Sequence, residues 1–268
     1  MIRLLNLYPP LTNHFVMIQK KTAEEIALMA EGGAILRTVT EALVAATKEG
    51  VRLKELDALA EKLMKEAGGE PAFLGYKPAW AEKAYPASIC ASVNDVVVHG
   101  IPSAYKLKSG DIIKLDLGLK YKGFYTDTAV TVGVGNISEE AKQLIAVTKD
   151  ALTLAIDQCV VGNTVGDIGF AVNAYVRKHG MRVAKGLTGH GIGRHLHEDP
   201  VVANEAKPST GIKLVAGMVI AVEPMVTLGS GETIQLKLDE SFATKERVLA
   251  AHFEHTVAIT EAGPQVLT

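Results

Sequence analysis

Two kinds of hydrophobic pattern alternate along the first half of the chain. Apolar residues recur at helical spacing from Thr22 to about Lys48 and again over about 54–67, and Thr22 and Glu25 form a capping box at the start of the first of these helices. Residues 70–90 contain three prolines and little periodicity, which predicts an extended loop. Strands are predicted after that loop at about 88–98, 111–119 and 124–134.

The second half repeats this order. Ser138 caps a helix that is predicted to run to about Val160, and a shorter helix follows over 164–179. Its predicted strands lie at about 186–189, 218–226, 234–238 and 249–259. Two helices followed by strands, twice over and with no linker between the halves, predict one α+β domain whose central sheet is covered by helices. This single domain is expected to span residues 17–268, and residues 1–16 are expected to be a poorly ordered N-terminal extension.

The repeat places acidic residues at matching points of the two halves. The segment GDIIKLDLG, with Asp116, corresponds to GMVIAVEPM, with Glu223. In the same way TDTAVT, with Asp127, corresponds to FEHTVAIT, with Glu254. One acidic residue in a strand commonly faces solvent, but four in matching places on apolar strands are harder to explain in that way. Because a buried carboxylate is costly unless it is paired or bound to a cation, the pattern predicts a metal site.

The first two acids are predicted to share one face of a hairpin. With a turn at Tyr121 and Lys122, Asp116 lies directly opposite Asp127 on an antiparallel pair of strands. A bulge at Gly123 would change that register. Two like charges at this separation repel strongly without a cation, which favours a metal site over a chance pair.

Three of the eight histidines, which lie in glycine-containing segments, are candidates for the site. His99 lies in VVVHGIP, and His190 and His197 lie in GHGIGRHLHEDP. Glycine beside a histidine lets the backbone pass close to a site and leaves the imidazole free to project into it. An ordinary loop histidine is the alternative for each alone, but together with the acids a functional role is favoured. The histidines that are not expected to bind a metal directly are His14, His179, His195, His252 and His255. Of these, His252 lies two residues before Glu254, so in a strand both side chains point to the same face, and His252 is a candidate to support the site.

Composition and charge narrow the classes of function. The chain has 268 residues with 48% hydrophobic content, enough for a large core, and its net charge of -2 shows no general bias towards nucleic acid or anionic membranes. Two cysteines, Cys90 and Cys159, are too few for a disulfide framework and suit reduced thiols. Without a membrane-length apolar run or a secretory leader, a cytoplasmic protein with no nucleic-acid or membrane partner is predicted.

Taken together, these segments resemble the type I methionine aminopeptidases, which have the pita-bread fold. The resemblance covers about residues 18–262, through SVNDVVVHGIP, GDIIKLDLGLKYKGFYTDTAVT, GHGIGRHLHEDP, GMVIAVEPMV and FEHTVAIT. The chain lengths between Asp127 and His190 and between His197 and Glu223 match type I, because type II carries a large insertion there. The implied fold has two pseudo-symmetric halves, each made of two helices and strands, around a central, largely antiparallel sheet.

The resemblance implies two divalent ions, with Asp127 and Glu254 bridging them. The implied metal ligands are Asp116, Asp127, His190, Glu223 and Glu254. This hard, oxygen-rich set suits manganese, iron, cobalt or zinc better than copper. Two such ions can activate a water molecule for attack on an amide. In this hypothesis Glu223 accepts the proton of that water, and His99 and His197 contact the substrate and hydrogen-bond to its scissile amide.

The same resemblance implies a pocket for the methionine side chain of the substrate. The implied lining residues are Phe73, Tyr76, Tyr85, Cys90 and Leu196. Ordinary core packing is the alternative for each. The chain departs from the common pattern in the longer segment 77–84 and at Leu196, where an aromatic residue is often found. These departures affect the preference for the substrate side chain more than the metal site.

The predicted function is therefore removal of the N-terminal methionine from nascent proteins and peptides. A monomer is predicted, with peptide N-termini as partners and the ribosome as a candidate partner. An Xaa-Pro aminopeptidase or prolidase of the same fold is an alternative, since those enzymes share the five ligands. A non-catalytic pita-bread protein that binds other macromolecules is a second alternative, which the complete ligand set disfavours.

Overall fold

The helices and strands that the hydrophobic pattern predicts occur in the predicted order, and the described residues contain five further strands that the pattern did not predict. The computed structural model describes residues 18–77, 82–236 and 241–268, so the predicted N-terminal extension, residues 1–16, lies outside the described residues. The helices are α1 (Ala23–Ala46), α2 (Leu53–Glu66), α3 (Glu139–Asp157) and α4 (Val165–Lys178). The strands are β1 (Glu70–Pro71), β2 (Ile89–Val93), β3 (Val96–Val98), β4 (Ile112–Tyr121), β5 (Phe124–Gly133), β6 (Arg182–Val183), β7 (Thr188–Gly191), β8 (Glu198–Ala203), β9 (Val219–Val222), β10 (Met225–Thr227), β11 (Thr233–Gln235), β12 (Phe242–Thr244), β13 (Ala250–His252), β14 (Glu254–Thr260) and β15 (Gly263–Val266).

Side-chain caps fix where the long helices begin. The amide of Glu25 donates to the hydroxyl of Thr22, and the amide of Thr22 donates to the Glu25 carboxylate at 2.9 Å, which is the predicted capping box. The hydroxyl of Ser138 accepts a hydrogen bond from the amide of Ala141 at the start of α3. Each cap satisfies amide groups that have no partner within the helix.

The first helix ends slightly earlier than its pattern suggests. Thr47 leaves the helical conformation, with ψ at 100°, and its hydroxyl donates to the carbonyl of Leu43 at 2.8 Å. Gly50 lies in the following turn with φ at 86°. A threonine that bonds back to its own helix therefore terminates α1, and the glycine redirects the chain towards α2.

A nine-stranded sheet dominates the molecule. Its strand order is β1-β4-β5-β14-β9-β7-β8, with β2 paired to β4 and β15 paired to β14. Two three-stranded sheets flank it, in the orders β13-β10-β6 and β11-β12-β3. The strand pairs described within the three sheets are antiparallel, as predicted for the central sheet.

The register of the β4–β5 hairpin differs from the predicted one. Lys122 and Gly123 form the turn, with φ at 48° and 86°, the left-handed pair that a two-residue type I′ turn requires. Asp116 therefore lies opposite Ala129, and the predicted direct pairing with Asp127 is wrong by two residues. An even shift keeps the same side chains on the same face, so the two acids are diagonal neighbours, with Cα atoms roughly 7–8 Å apart in a regular ladder.

Two of the predicted strands are broken where they carry a site acid. The expected strand at 218–226 forms β9 and β10, separated by Glu223 and Pro224, and the expected strand at 249–259 forms β13 and β14, separated by Phe253. The amide of Phe253 donates to the carbonyl of Pro224. Because β9 and β14 stay in the main sheet while β10 and β13 pair in a small one, both acids lie where the chain passes from one sheet to another.

The helices cover one face of the main sheet. On β4 the leucines and isoleucines at odd positions pack into a buried cluster with α1 and α2, whereas Asp116 and Gly118 point to the opposite face. On β9 and β14 the apolar residues Ile220, Val222, Val257 and Ile259 pack with α3 and α4. Each half thus has its own helix-side core, and the other face of the sheet is left for the site. None of the helices in the described ranges has the length and apolar character of a membrane span.

A glycine pair in α1 allows a test of this packing. A Cβ added at Gly33 would lie 2.1 Å from the backbone oxygen of Leu267, whereas one at Gly32 would lie 3.2 Å from the Tyr121 Cβ atom. Both substitutions gain the higher helix propensity of alanine, but only at Gly33 must a buried backbone segment move. Gly33→Ala is therefore expected to destabilise the protein by about 1–3 kcal/mol in urea unfolding. Gly32→Ala is the matched control, and equal effects of the two would contradict the packing described.

Candidate active site

Five neighbouring strands each bring one candidate metal ligand, on the strand or directly after it, to the open face of the main sheet. In the sheet order β4, β5, β14, β9 and β7 stand side by side. Their contributions are, in that order, Asp116, Asp127, Glu254, Glu223 and His190. Each has at most 9% of its surface exposed. The structure thus places together all five residues that the sequence nominated as ligands.

The donor atoms form two overlapping groups. Donor atoms of Asp127, His190 and Glu254 all lie within 4.8 Å of one another, and so do those of Glu223, His252 and Glu254. Nε2 of His190 is 3.6 Å from Oε1 of Glu223, and Nε2 of His252 is 3.4 Å from Oε2 of the same carboxylate. Glu254 belongs to both groups, so its carboxylate is central to the cluster, whereas Asp116 belongs to neither.

Hydrogen bonds between β5 and β14 hold two of the acids in place. The amide of Asp127 donates to the hydroxyl of Thr256, which donates back to the carbonyl of Asp127, both at 2.8 Å. The hydroxyl of Thr128 donates to the carbonyl of Glu254 at 2.8 Å. The sequence analysis missed these threonines, although Thr256 has the parity of Glu254 and so shares its face. They fix the backbone of the central pair of acids.

His190 is oriented by the backbone next to it. Its Nδ1 lies 2.9 Å from the carbonyl oxygen of Gly191, which can only accept, so Nδ1 carries the hydrogen. In the neutral ring Nε2 then has a free lone pair, the arrangement found in histidines that bind metals. The register of β7 against β8 also shifts between His190 and Gly191.

Burial disfavours the ionised form of all four carboxylic acids. Removal from water raises the pKa of Asp116 and of Glu223 to about 7. Burial, followed by the charges of neighbouring carboxylates, raises the pKa of Asp127 and of Glu254 well above the usual range. The cluster therefore takes up either protons or cations.

Unsatisfied atoms in the cluster show that its residues fit a divalent cation. Within the described residues, Oε1 of Glu254 is buried and has no hydrogen-bond partner, and the same holds for both ring nitrogens of His252. Buried polar atoms in native proteins are nearly always satisfied by a partner. Carboxylate oxygens and neutral imidazole nitrogens are ligands for hard and borderline divalent metals. Protonation of the carboxylic acids alone would leave the two ring nitrogens of His252 without a partner.

Two more nominated histidines border the cluster. His99 follows β3 with φ at 60°, and its ring contacts that of Phe242 at 5.9 Å between centroids. The ring of His197 contacts that of His190 at 4.3 Å. Burial, followed by the nearby His252 and His190, lowers the pKa of His99 to about 4. Removal from water, followed by the nearby His190 and His99, lowers the pKa of His197 well below its usual value, although the residue keeps part of its surface open to solvent. Both rings are therefore neutral near pH 7, and each has one N–H to donate.

The residues nominated for the substrate pocket lie together beside the acids. Phe73, Cys90 and Leu196 belong to one buried cluster, and Tyr76 and Tyr85 pack against it. Cys90 lies directly opposite Asp116 in the β2–β4 pair, which joins the cluster to the metal ligands. The hydroxyl of Tyr85 donates to the carbonyls of Ile89 and Gly100, so its ring is fixed. Of the unusual segment 77–84, residues 78–81 lie outside the described residues.

The remaining histidines divide as their positions predict, apart from His252. His195 is exposed, His179 is the C-cap of α4, His255 contacts Thr268, and His14 lies outside the described residues. His252 is 1% exposed and touches both Glu223 and Glu254. Because His252 and Glu254 are two residues apart in extended chain, the sequence already placed both on one face.

Comparison with known proteins decides the family. The model of metallopeptidase family M24 matches residues 27–261. A methionine aminopeptidase of Clostridium perfringens is 42% identical over 252 residues, which cover 94% of this chain and 99% of that protein. The chain belongs to metallopeptidase family M24. Its resemblance to the methionine aminopeptidases of that family, predicted from the sequence motifs, is confirmed.

The folds of solved family M24 structures agree with this assignment. The crystal structure of methionine aminopeptidase from Thermotoga maritima superposes with a TM-score of 0.90 at 36% identity, covering 94% of this chain and 99% of that one. A prolidase from Pyrococcus furiosus superposes with a TM-score of 0.73 at 25% identity, covering 93% of this chain and 65% of that one. The predicted pita-bread fold is confirmed, and the methionine aminopeptidase is the more similar of the two.

Proposed function

We propose that this family M24 protein is a methionine aminopeptidase that uses two divalent ions to remove the N-terminal methionine from peptides and nascent proteins. One observation carries the proposal, namely that five adjacent strands each direct one buried ligand-type side chain to the same place. The similarity to methionine aminopeptidases over nearly the whole chain gives the substrate class. A cytoplasmic monomer that meets its substrates at the ribosome remains a prediction from the sequence.

The sheet order supports a specific division of the ligands. Asp127 and Glu254 lie on the adjacent strands β5 and β14, with Asp116 on one side and the Glu223 and His190 strands on the other. One ion would therefore be held on the Asp116 side and one on the Glu223 and His190 side, with the middle pair shared. This arrangement supports Asp127 and Glu254 as the bridging ligands. The donor set suits manganese, iron, cobalt or zinc.

The residues of the chain supply the remaining chemistry. When bound, a pair of divalent ions lowers the pKa of a water molecule and polarises the substrate carbonyl. Glu223 accepts the proton of the attacking water and delivers it to the departing amine. The neutral rings of His99 and His197 donate hydrogen bonds to the scissile amide, where negative charge develops.

The charge and shape of the site explain why cleavage would be limited to the first residue. The free amino group of a peptide N-terminus could complete the coordination of a bound ion, whereas an internal peptide bond has no such group. Beside them Phe73, Cys90 and Leu196 form an apolar wall. An unbranched, polarisable methionine side chain packs well against aromatic and sulfur-containing neighbours.

Substrate choice separates the proposed function from that of the prolidases. Purified protein supplied with manganese or cobalt is expected to release methionine from Met-Ala-Ser and to leave Xaa-Pro peptides intact. Cleavage of the Xaa-Pro peptides with Met-Ala-Ser intact would establish the alternative. If neither were cleaved, and Asp127→Ala left stability and the binding of other proteins unchanged, a non-catalytic role would replace both.

Removal of the His197 imidazole is expected to slow the chemical step. His197→Ala should lower kcat for Met-Ala-Ser by about 100-fold, because one donor to the developing oxyanion is lost, while KM changes little. His195→Ala is the matched control, since that exposed histidine lies two residues away in the same loop. Steady-state kinetics with both variants check this, and equal activities of the two would contradict the assigned role.

A further inference from the structure

Two tyrosines lie at the base of the unusual segment 77–84. The amide of Gly75 donates to the carbonyl of Tyr85 at 2.9 Å, and the amide of Tyr85 donates to the carbonyl of Tyr76 at 2.8 Å. These hydrogen bonds join the two ends of the segment. The positions of Tyr76 and Tyr85 are thus fixed by backbone pairing, whatever the length of the chain between them.

The hydroxyl of Tyr76 contacts a catalytic histidine. It lies 2.6 Å from Nδ1 of His197, and the two rings are tilted with their centroids 5.2 Å apart. On its other side the ring of His197 contacts His190 at 4.3 Å. His197 is therefore held between Tyr76 and a proposed metal ligand. The sequence analysis assigned Tyr76 to the methionine pocket, and this contact indicates a different task.

The chemistry of a neutral imidazole shows what that task requires. The ring has one N–H and one lone pair, so it can donate from Nε2 only if Nδ1 is an acceptor. A phenol hydroxyl next to Nδ1 supplies the hydrogen that such an acceptor needs. The group that bonds one ring nitrogen decides which nitrogen carries the proton, and so decides the direction in which the ring can donate.

We propose that Tyr76 is a positioning residue, whose hydroxyl donates to Nδ1 of His197 and thereby keeps the hydrogen on Nε2 for the substrate. The proposal rests on the proposed role of His197 in peptide hydrolysis. Tyr76 acts through His197 and does not itself take part in proton transfer. The backbone pairing with Tyr85 holds Tyr76 at the distance that this hydrogen bond requires.

The tautomer can be observed without turnover. In full-length, metal-free protein labelled with nitrogen-15 in its histidines, His197 is expected to show a protonated Nε2 and an unprotonated Nδ1. Tyr76→Phe removes only the hydroxyl, and the His197 signals should move towards a mixture of both tautomers. With manganese present, the same variant should lower kcat for Met-Ala-Ser between about twofold and about tenfold, the range for one hydrogen bond, with KM within about twofold.

A double-mutant cycle separates positioning from direct substrate contact. Tyr76→Phe should cause no further loss of kcat in a His197→Ala background, because its effect passes through the missing ring. Tyr175→Phe is the matched control, since Tyr175 of α4 also packs against a histidine but donates its hydroxyl hydrogen to Asp150 of α3 at the surface. It should leave kcat and the His197 signals unchanged.

Two results would overturn the inference. One is an unchanged His197 tautomer in Tyr76→Phe, and the other is an undiminished loss of kcat in the His197→Ala background, which would make Tyr76 a substrate contact. If the protein released no methionine, the proposed function would fail, but the nitrogen-15 signals would still decide whether Tyr76 sets the tautomer.

Discussion

Glu223→Gln is expected to lower kcat for Met-Ala-Ser by about 1000-fold while the protein stays folded. The substitution keeps the shape of the side chain but removes the group that accepts the proton of water, and general base catalysis contributes about 100-fold to 10,000-fold. It also removes one negative charge from the ligand set, so metal content is expected to fall as well. Circular dichroism spectra should match those of the wild type.

A surface glutamate provides the control for this variant. Glu232 is exposed and forms an ion pair with Lys185 at 2.6 Å, so Glu232→Gln changes the same chemical group far from the acids. It should leave kcat unchanged. If Glu223→Gln retained more than about a tenth of the wild-type kcat at saturating manganese, a general base at this position would be ruled out.

Without divalent ions the protein is expected to lose stability as the pH rises from about 4 to about 7. Burial raises the pKa of Asp116 and Glu223 to about 7, whereas unfolded carboxyl groups titrate near pH 4. The folded state therefore holds protons that the unfolded state has lost, so stability is full below the unfolded pKa and decreases up to the folded one. For one such carboxyl group the loss is on the order of 4 kcal/mol.

Bound cations should reverse this trend, because they replace the protons and favour the ionised acids. Thermal unfolding of chelator-treated and manganese-loaded protein between pH 5 and pH 8 measures the effect, and the gain from manganese should grow with pH. Asp116→Asn should make the metal-free protein more stable than the wild type near pH 7.5, since it removes a buried charge. A metal-free wild type whose stability rises over this range would contradict the proposed cluster.

The faces of the strands could be predicted because strand periodicity is two residues. Asp116 and Asp127 were assigned to one face by counting along β4 and β5, and they stay there although the register is displaced by two residues. The register was displaced because the turn lies at Lys122 and Gly123 and not one residue earlier. Both residues adopt left-handed backbone conformations, and the hydrophobic pattern carries no information about these.

The breaks in the strands could not be predicted in the same way. Continuous apolar segments run through Glu223 and Glu254, and only the partner strands determine that β10 and β13 leave the main sheet. Pro224 was a local indication of a break, because proline has no N–H to donate to a neighbouring strand. The residue type of Phe253 gave no such indication. In the structure its amide donates to the carbonyl of Pro224.

Buried polar side chains that hydrogen-bond within the fold also could not be predicted from the hydrophobic pattern. Lys114 shares the parity of Asp116 and is 1% exposed, with its Nζ donating to the carbonyl of Asn94 at 2.7 Å. Burial lowers the pKa of this ammonium to about 7. A lysine in a strand usually predicts a solvent-facing position, and only the tertiary structure shows the carbonyl that receives it.

The most direct test of the proposed centre is the position of bound metal. Crystals saturated with manganese and measured for anomalous scattering should show two strong peaks on the open face of the main sheet. One peak should lie beside Asp116 and the other beside His190 and Glu223, with Asp127 and Glu254 in contact with both. Peaks in another part of the molecule, or none at this cluster, would contradict the central claim that the five strands converge to hold a pair of divalent ions.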